Sequence, residues 1–425
     1  MKAKEIRNQI ESINKKNFWG MQSFKMGTAL GVSLAYEVSV LKTWRDSLIS
    51  LYLSFFYCFA VKRTGDGKLM FLFPSNNMGA TWHSQGCLDM AKLVKNGTLA
   101  TINIYKSNAL RKENIINILY SPLWFLQMLK EPLTLKQKLY LVGKLGICKK
   151  WATRFSQEIE SCSPALVTTY CDSHMYDNIA AQCCRIKNIP TATFQHGMYA
   201  ASTDTTFSDG FELFVSDIFL AWGEYTKACA IGGSISPERI YITGSAKAIK
   251  KIHMVPDTPV FGVMLSGYCF GHEQGINSQL IKLANELAQS LGLKYIIKPH
   301  FSDKVSSWEH LYNQDLVEYI CENNESIEYL ASSMRFFLCP STSTVAFDFI
   351  NIGAITFVHH NEYENHHSFC FGKLSFKTID DLIYLTKWSD EFREDYLKES
   401  DAVDQYAFAA DSNSSYMKFF ERYYN

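Results

Sequence analysis

A repeated pattern constrains the fold most: a short apolar segment stops at polar residues, and a helical pattern follows it. Residues 68–73, 165–170 and 294–298 are clear examples. Short apolar strands that alternate with helices are typical of parallel sheets whose two faces are covered by helices. The pattern therefore predicts an α/β fold, in which ligands bind where strands end and helices begin.

The length of the chain predicts two such units. With 425 residues, it exceeds what a single hydrophobic core usually holds. We predict an N-terminal helical segment over residues 1–65, a Rossmann-like domain over 66–250 and a second Rossmann-like domain over 251–405. A final helix within residues 406–425 is expected to cross back to the first domain.

Composition excludes a polyanion as the main partner. Lysine plus arginine and aspartate plus glutamate number 42 each, so no excess of positive charge points to nucleic acid. The 12 cysteines form no CxxC pair and several lie in apolar runs, which favours buried thiols in a reducing compartment. Because the first residues lack the apolar core of a signal peptide, we expect a cytoplasmic protein.

The most apolar stretch is LISLYLSFFYCFAV at residues 48–61. It is shorter than the ~20 residues that a spanning helix needs. We predict a buried helix here. A helix lying on a membrane surface, between the basic residues that flank the stretch, is the alternative.

Four consecutive hydroxyl residues follow a buried strand and open a helix: Ser341, Thr342, Ser343 and Thr344. The free backbone N–H groups of such a helix start, together with its dipole, favour an anion. One hydroxyl is enough for an ordinary N-cap, so the run indicates a phosphate site. Asp348, one turn later, could brace this loop or reach a hydroxyl of a phosphorylated donor substrate.

Two further strand ends in the second half carry candidate phosphate contacts. Lys298 supplies a cation, and His300 titrates near neutrality and can donate a hydrogen bond to a phosphate. Neutralising a leaving phosphate is what a group transfer requires. Ser266 and Gly267 follow the first strand of this half and are further candidates of the same kind.

In the first half, an apolar strand ends at Gln195, His196 and Gly197. Gly197 permits a tight turn or a close approach of the backbone to a ligand. We predict that His196 takes a proton from an acceptor hydroxyl and that Gln195 and Gly197 contact the acceptor. Asp172 ends the preceding strand, with Ser173 and His174 after it, and is the alternative base or nucleophile.

Two polar loops have ordinary explanations as well as functional ones. Asn76 and Asn77 follow the first strand and are expected to contact the acceptor, although a plain turn explains them equally well. Residues 359–367 contain four histidines and two glutamates. They lack the HExxH spacing of a zinc helix, so we expect no metal and predict a loop over a nucleotide or sugar.

Four segments make the chain resemble the GT-B glycosyltransferases. They are QHG at 195–197, YITGSAK at 241–247, KPH at 298–300 and CPSTSTVAFDF at 339–349. Within that class, the chain is similar to bacterial surface-polysaccharide enzymes that include CDP-glycerol glycerophosphotransferases and capsule-type transferases. It departs from them at Phe301, where proline is expected, and at Gln195, where tryptophan is frequent.

The resemblance implies two Rossmann-like domains facing across a cleft, with the acceptor in the first and the donor in the second. It implies His196 as the base, and Lys298, His300 and residues 341–344 as ligands of the donor phosphates. Neither a metal nor a cofactor is expected, because helix dipoles and cations would supply the electrostatic stabilisation.

We therefore predict a glycosyltransferase that moves a sugar from a nucleotide-activated donor to a surface-polysaccharide or lipid-linked glycan acceptor, as in capsule or lipopolysaccharide synthesis. Related Kdo and sialic acid transferases leave a CMP-linked donor open. Transfer of a polyol phosphate from a CDP-alditol is the first alternative, a sugar-nucleotide epimerase the next, and a non-catalytic binding partner the last. The N-terminal helices are expected to contact the inner membrane face peripherally.

Overall fold

The structure is a computed structural model of the chain. It describes residues 3–32, 34, 43–74, 82–106, 111–198, 211, 213–246, 251–252, 256–266, 273–300, 310–322, 325–341, 343–360, 368–409 and 411–424. The chain divides into two compact units. Unit 1 comprises Met1–Trp222, Thr226–Lys247 and Ala409–Asn425, and unit 2 comprises Gly223–Tyr225 and Ala248–Phe408.

A seven-stranded sheet forms the centre of unit 1, in the order β1-β3-β2-β4-β5-β6-β7. Its strands are β1 (Tyr57–Thr64), β2 (Leu69–Pro74), β3 (Gly97–Lys106), β4 (Leu166–Thr169), β5 (Thr191–Phe194), β6 (Ile218–Ala221) and β7 (Ile240–Ile242). β1 pairs antiparallel with β3, and every other pairing in the sheet is parallel. β4 and β5 are short and fully buried. Burial on both faces accounts for their continuous runs of apolar and β-branched residues.

Helices cover both faces of this sheet. They are α1 (Ala3–Asn14), α2 (Met26–Val32), α3 (Trp44–Phe56), α4 (Trp82–Leu93), α5 (Lys112–Met128), α6 (Leu135–Cys162), α7 (Met175–Ile186), α8 (Glu224–Gly232) and, at the far end of the chain, α15 (Ser412–Phe420). α6 carries Trp151 and Phe155 into the core on one face. α15 packs Tyr416, Phe419 and Phe420 into the core on the other face.

The apolar stretch at residues 48–61 is not a single buried helix, so that prediction was wrong. α3 ends at Phe56, and Tyr57 begins β1, which pairs with β3 along its whole length. Moreover, α3 buries Ser47, Ser50 and Ser54 rather than its apolar side chains. The reason lies in α6, where only small residues leave room for α3.

That close helix contact depends on two glycines of α6. A Cβ atom on Gly143 would lie 2.4 Å from Oγ of Ser50, and one on Gly146 would lie 1.9 Å from Oγ of Ser54. The Ser50 hydroxyl donates to the carbonyl oxygen of Tyr140 over 2.9 Å. Facing serines and glycines therefore allow the two backbones to approach closely, and the apolar side of α3 is left outside.

Unit 2 contains a six-stranded sheet in the order β10-β9-β8-β11-β12-β13, in which all pairings are parallel. Its strands are β8 (Val260–Met264), β9 (Lys294–Lys298), β10 (Val317–Ile320), β11 (Phe337–Pro340), β12 (Thr356–His359) and β13 (Ser375–Phe376). Its helices are α9 (Glu273–Leu291), α10 (Ile327–Ala331), α11 (Val345–Ile352), α12 (Ser368–Phe371), α13 (Ile379–Glu391) and α14 (Arg393–Ala407). The predicted α/β class with two Rossmann-like units is confirmed.

Candidate functional site

Two adjacent strand ends in unit 1 bring the first group of candidate residues together. β4 and β5 are parallel, with Thr169 opposite Thr193, so the segments that follow them leave the sheet side by side. The ring centroids of His174 and His196 are 5.4 Å apart, and the Tyr170 ring lies 5.7 Å from that of His196. The structure thus places His174 beside His196, as the order of the strands predicts.

Cys171 lies at the centre of this group. Its sulfur is 3.0 Å from Oγ of Ser173 and 3.9 Å from Nε2 of His196. Burial alone would raise the pKa of the thiol, but the nearby His174 and His196 lower the pKa of Cys171 well below its ordinary value. A buried thiolate between imidazoles is a group that can accept or relay a proton.

The Cys171 group is also where a metal ion could bind. Among the described residues, Cys171, His174 and His196 offer one sulfur and two nitrogen atoms that all lie within 4.8 Å of one another. Thiolate and imidazole are ligands that zinc prefers. The expectation that the protein needs no metal stays a prediction.

Sequence reasoning missed Cys171 as a site residue. The only local signal was its position, directly after a buried strand and three residues before a histidine. The structure adds Asp177, whose buried Oδ2 accepts from the backbone N–H of Cys171 over 3.0 Å. Burial raises the pKa of Asp177 well above its ordinary value, while His174 opposes that rise.

Asp172 has a structural position. Its side chain is buried, and its Oδ2 accepts from the backbone N–H groups of Val215 at 2.9 Å and Ser216 at 2.7 Å. Burial raises the pKa of Asp172 to about 6, against the effect of these two amides. The carboxylate anchors the segment before β6, and its role as a base or nucleophile stays a prediction.

Gln195 is likewise part of the fold. Its buried Nε2 donates to the carbonyl oxygen of Gly197 at 2.8 Å and to Oγ1 of Thr226 at 3.0 Å, and its Oε1 accepts from the N–H of Trp222 at 2.6 Å. An amide that is bonded on all sides fixes the turn through His196. Acceptor contact by Gln195 and by the half-buried Gly197 stays a prediction.

In unit 2, Ser266 follows β8 and is held by a residue that sequence reasoning missed. The buried Asn277 of α9 accepts from the N–H of Ser266 and donates to its carbonyl oxygen, both over 2.9 Å. This pair of bonds fixes the backbone at the strand end. An asparagine in the first turns of a helix after a polar loop carries too little local signal to be singled out.

The cation predicted on β9 is directed at the protein itself. Nζ of Lys298 donates to the carbonyl oxygens of Glu325 at 3.0 Å and Glu322 at 3.4 Å. It therefore fixes the backbone at Glu322 and at Glu325, which lie between β10 and α10. His300 is half-buried two residues beyond the end of β9.

The hydroxyl run divides between packing and capping. Ser341 is buried, and its N–H donates to the carbonyl oxygen of His359 over 3.2 Å. Oγ of Ser343 accepts from the N–H of Val345 over 3.3 Å, whereas Thr344 is half-buried at the start of α11. Of the three described hydroxyls, those of Ser343 and Thr344 are the accessible ones. Asp348 is buried in the first turn of α11.

The histidines at the end of β12 do not form a described metal group. His359 is buried against the ring of Phe376, and burial lowers its pKa to about 4. The remaining residues of that segment, 361–367, lie outside the described residues. So do four predicted site residues: Asn76, Asn77, Gly267 and Thr342.

The comparisons bear on the fold. MnaA of S. aureus, in a structure with UDP, is 14% identical and has a TM-score of 0.52, covering 84% of this chain and 96% of that one. The UDP-GlcNAc 2-epimerase of Neisseria meningitidis, bound to UDP-GlcNAc, is 15% identical with a TM-score of 0.51, covering 84% and 100%. Alr3699/HepE of Anabaena, in complex with UDP, is 12% identical with a TM-score of 0.50, covering 84% and 99%.

These likenesses support two Rossmann-like units over most of the chain. No family model and no curated protein sequence matches it. No helix within the described residues combines the length and the apolar character that crossing a bilayer requires. The narrower assignment to CDP-glycerol transferases gains no support, and the placing of His196 and His300 around one cleft remains a prediction.

Proposed function

We propose that this protein is an enzyme that acts on a nucleotide-activated sugar, and that its reaction is epimerisation of a UDP-linked sugar. The observation that carries the proposal is the group of proton-transfer side chains at the ends of β4 and β5, in a fold similar to proteins described with UDP and UDP-GlcNAc. The sequence alone favours two transfer reactions over epimerisation, whereas these likenesses favour epimerisation over both.

The unit 1 group suits the chemistry of epimerisation. At the carbon next to the anomeric centre, removal of the proton is coupled to departure of the nucleotide diphosphate: the C–H electron pair forms a C=C bond, and the C1–O pair leaves with the diphosphate. Re-addition of the diphosphate with return of a proton to the opposite face gives the isomer, so one group removes the proton and another returns it. His196 and Cys171 are two titratable groups in contact, and His174 is beside them. We assign the proton transfers at the sugar to the half-buried His196 and His174, with the buried Cys171 as a proton relay between them and Asp177 and Gln195 as positioning residues.

The strand ends of unit 2 suit the nucleotide phosphates. Ser343, Thr344 and the first N–H groups of α11 are hydrogen-bond donors at a helix start, where the helix dipole also favours an anion. His300 adds a titratable donor at the end of β9. The buried Asn277 keeps the backbone of Ser266 in a fixed conformation at the end of β8.

Sugar transfer to a glycan acceptor is the second candidate function. The hydroxyl run and the QHG and KPH segments that resemble GT-B glycosyltransferases favour it. Transfer and epimerisation differ in one respect that can be tested: a transferase needs an acceptor, whereas an epimerase converts the donor alone into an isomer of equal mass. Polyol-phosphate transfer would instead release CMP.

The test is to incubate the full-length protein with UDP-, CMP-, GDP- and CDP-linked donors without any acceptor, and to analyse the products by mass spectrometry and NMR. The proposal predicts an isomer of a UDP-linked sugar at unchanged mass. His196→Gln and Cys171→Ala should each lower its rate at least about a hundredfold. His310→Gln, at an exposed histidine, is the matched control and should keep full activity. If the donors stay unchanged until an acceptor is added, epimerisation is excluded.

A further inference from the structure

The outward face of α3 is apolar. Its exposed side chains are Trp44, Leu48, Ile49, Tyr52 and Phe56, with exposed fractions of 37–58%. Its buried positions are serines, which pack against α6. A surface helix of a globular protein normally places its polar residues outward, so the polarity of α3 is inverted.

The neighbouring helix α5 also has an exposed apolar face. It exposes Ile115, Ile118, Leu119, Leu123 and Leu126, by 38–68%. Of the four residues that it buries, two are polar and two apolar: Asn114, Asn117, Trp124 and Met128. A monomeric protein rarely exposes so many apolar side chains on adjoining elements unless they contact a partner or a membrane.

The two helices form one layer. Nδ2 of Asn117 on α5 donates to the carbonyl oxygen of Ser54 on α3 over 3.2 Å and to that of Gly146 on α6 over 2.8 Å. This one side chain fixes α5 beside α3 and holds both helices against α6. We refer to the outward side chains of α3 and α5 named above as the apolar face.

The charge around the apolar face is positive. Arg45, Lys112 and Lys130 are exposed, and Nζ of Lys106 lies 5.9 Å from the ring centroid of Tyr52. Residues 43–56 and 111–138 contain three acidic residues, and none of them is fully exposed. Asp46 is half-buried and caps α3, Glu113 is half-buried, and Glu131 is buried and paired with Lys16.

We propose that the apolar face docks unit 1 on the surface of a bilayer that contains anionic phospholipid, with α3 and α5 lying in the plane of the interface. The apolar side chains would enter the boundary between lipid headgroups and acyl chains, a depth at which tryptophan and tyrosine are common. The cations would contact the lipid phosphates. A second copy of the chain fits less well, because a symmetric interface would bring the same cations together.

The test measures co-sedimentation of the full-length protein with vesicles of phosphatidylcholine plus phosphatidylglycerol, and with phosphatidylcholine alone. The wild type should bind the anionic vesicles, and added salt should weaken that binding. L119Q/L123Q on α5 and L48Q/I49Q on α3 should each lower the partition coefficient at least about tenfold. R45E/K112E should weaken binding to the anionic vesicles only.

Tyr384→Gln is the matched control, because it removes a side chain that is 66% exposed on α13 of unit 2 and should leave binding unchanged. All of these positions are exposed, so the thermal midpoint should stay the same in every variant. The proposal is overturned if the wild type stays in the supernatant with anionic vesicles at low salt, or if the apolar variants bind as the wild type does. It is equally overturned if those variants only convert a dimer to a monomer.

Discussion

The sulfur of Cys171 lies 3.9 Å from Nε2 of His196, where the parallel strands β4 and β5 end side by side. This contact links the histidine that the sequence singles out to a thiol that it does not.

We expect the pKa of the Cys171 thiol to be depressed. Burial alone would raise its pKa, but His174 and His196 lower the pKa of Cys171 well below its ordinary value. The ultraviolet difference spectrum between the wild type and Cys171→Ala should therefore show thiolate absorbance that persists well below the ordinary thiol pKa. In the His196→Ala background the pKa should rise. A titration at the ordinary thiol value of about 8.5 in the wild type would contradict this assignment.

Asp172 should make the stability of the protein depend on pH. Burial raises its pKa from 3.8 to about 6, so the fold favours the protonated acid. The contribution of Asp172 to the free energy of unfolding is fully present below about pH 4 and is lost as the pH rises through about 6. The free energy of unfolding of the wild type should thus fall by ~1–3 kcal/mol, relative to Asp172→Asn, between about pH 4 and pH 7. Urea titrations of both proteins measure it, and a difference that is constant with pH would refute it.

Asn277→Leu should weaken nucleotide binding and also lower the free energy of unfolding. The substitution leaves the buried N–H and C=O of Ser266 without the amide that now binds both. We expect a loss of ~2–3 kcal/mol in the free energy of unfolding. We also expect a smaller rise of the thermal midpoint when UDP is added. Asn285→Leu, on the same helix, is the control, and an equal UDP-induced rise in both variants would count against the role of the Ser266 backbone.

Gly146→Ala should destabilise unit 1 through contact with α3. The new Cβ atom would lie 1.9 Å from Oγ of Ser54. Overpacking of this kind costs ~1–3 kcal/mol, and the double variant Gly146→Ala/Ser54→Ala should recover part of that loss. Urea denaturation of the two single variants and the double variant supplies the cycle. Strictly additive effects would show that the two helices are not in close contact here.

The fold class could be predicted because its signal is local. Each buried parallel strand is a short apolar run that ends at polar residues, so β4, β5, β9 and β11 were recognisable one by one. The change from α3 to β1 at Tyr57 was not, because it depends on partners far along the chain. β1 exists because it pairs with β3, and the serine face of α3 is explained only by the glycines of α6.

The site could be located from sequence but not divided into roles. The strand ends indicated where His196, Asp172 and Lys298 would lie. Whether such a side chain bonds to the protein itself depends on neighbours that are distant in sequence. Asp172 binds amides some 43 residues away, and Lys298 binds the carbonyl oxygen of Glu325, 27 residues away. Cys171 became a candidate only when the structure placed two histidines around it.

The most direct test of the account is an NMR experiment in D2O with purified protein and UDP-GlcNAc as the only substrate. If His196 and His174 move a proton at the inverted carbon through the Cys171 relay, the product is an isomer of the substrate that carries deuterium there, and Cys171→Ala lowers its rate of formation at least about a hundredfold. If UDP-GlcNAc binds but keeps its configuration and its protons over the whole incubation, the proposed epimerisation of this sugar is wrong.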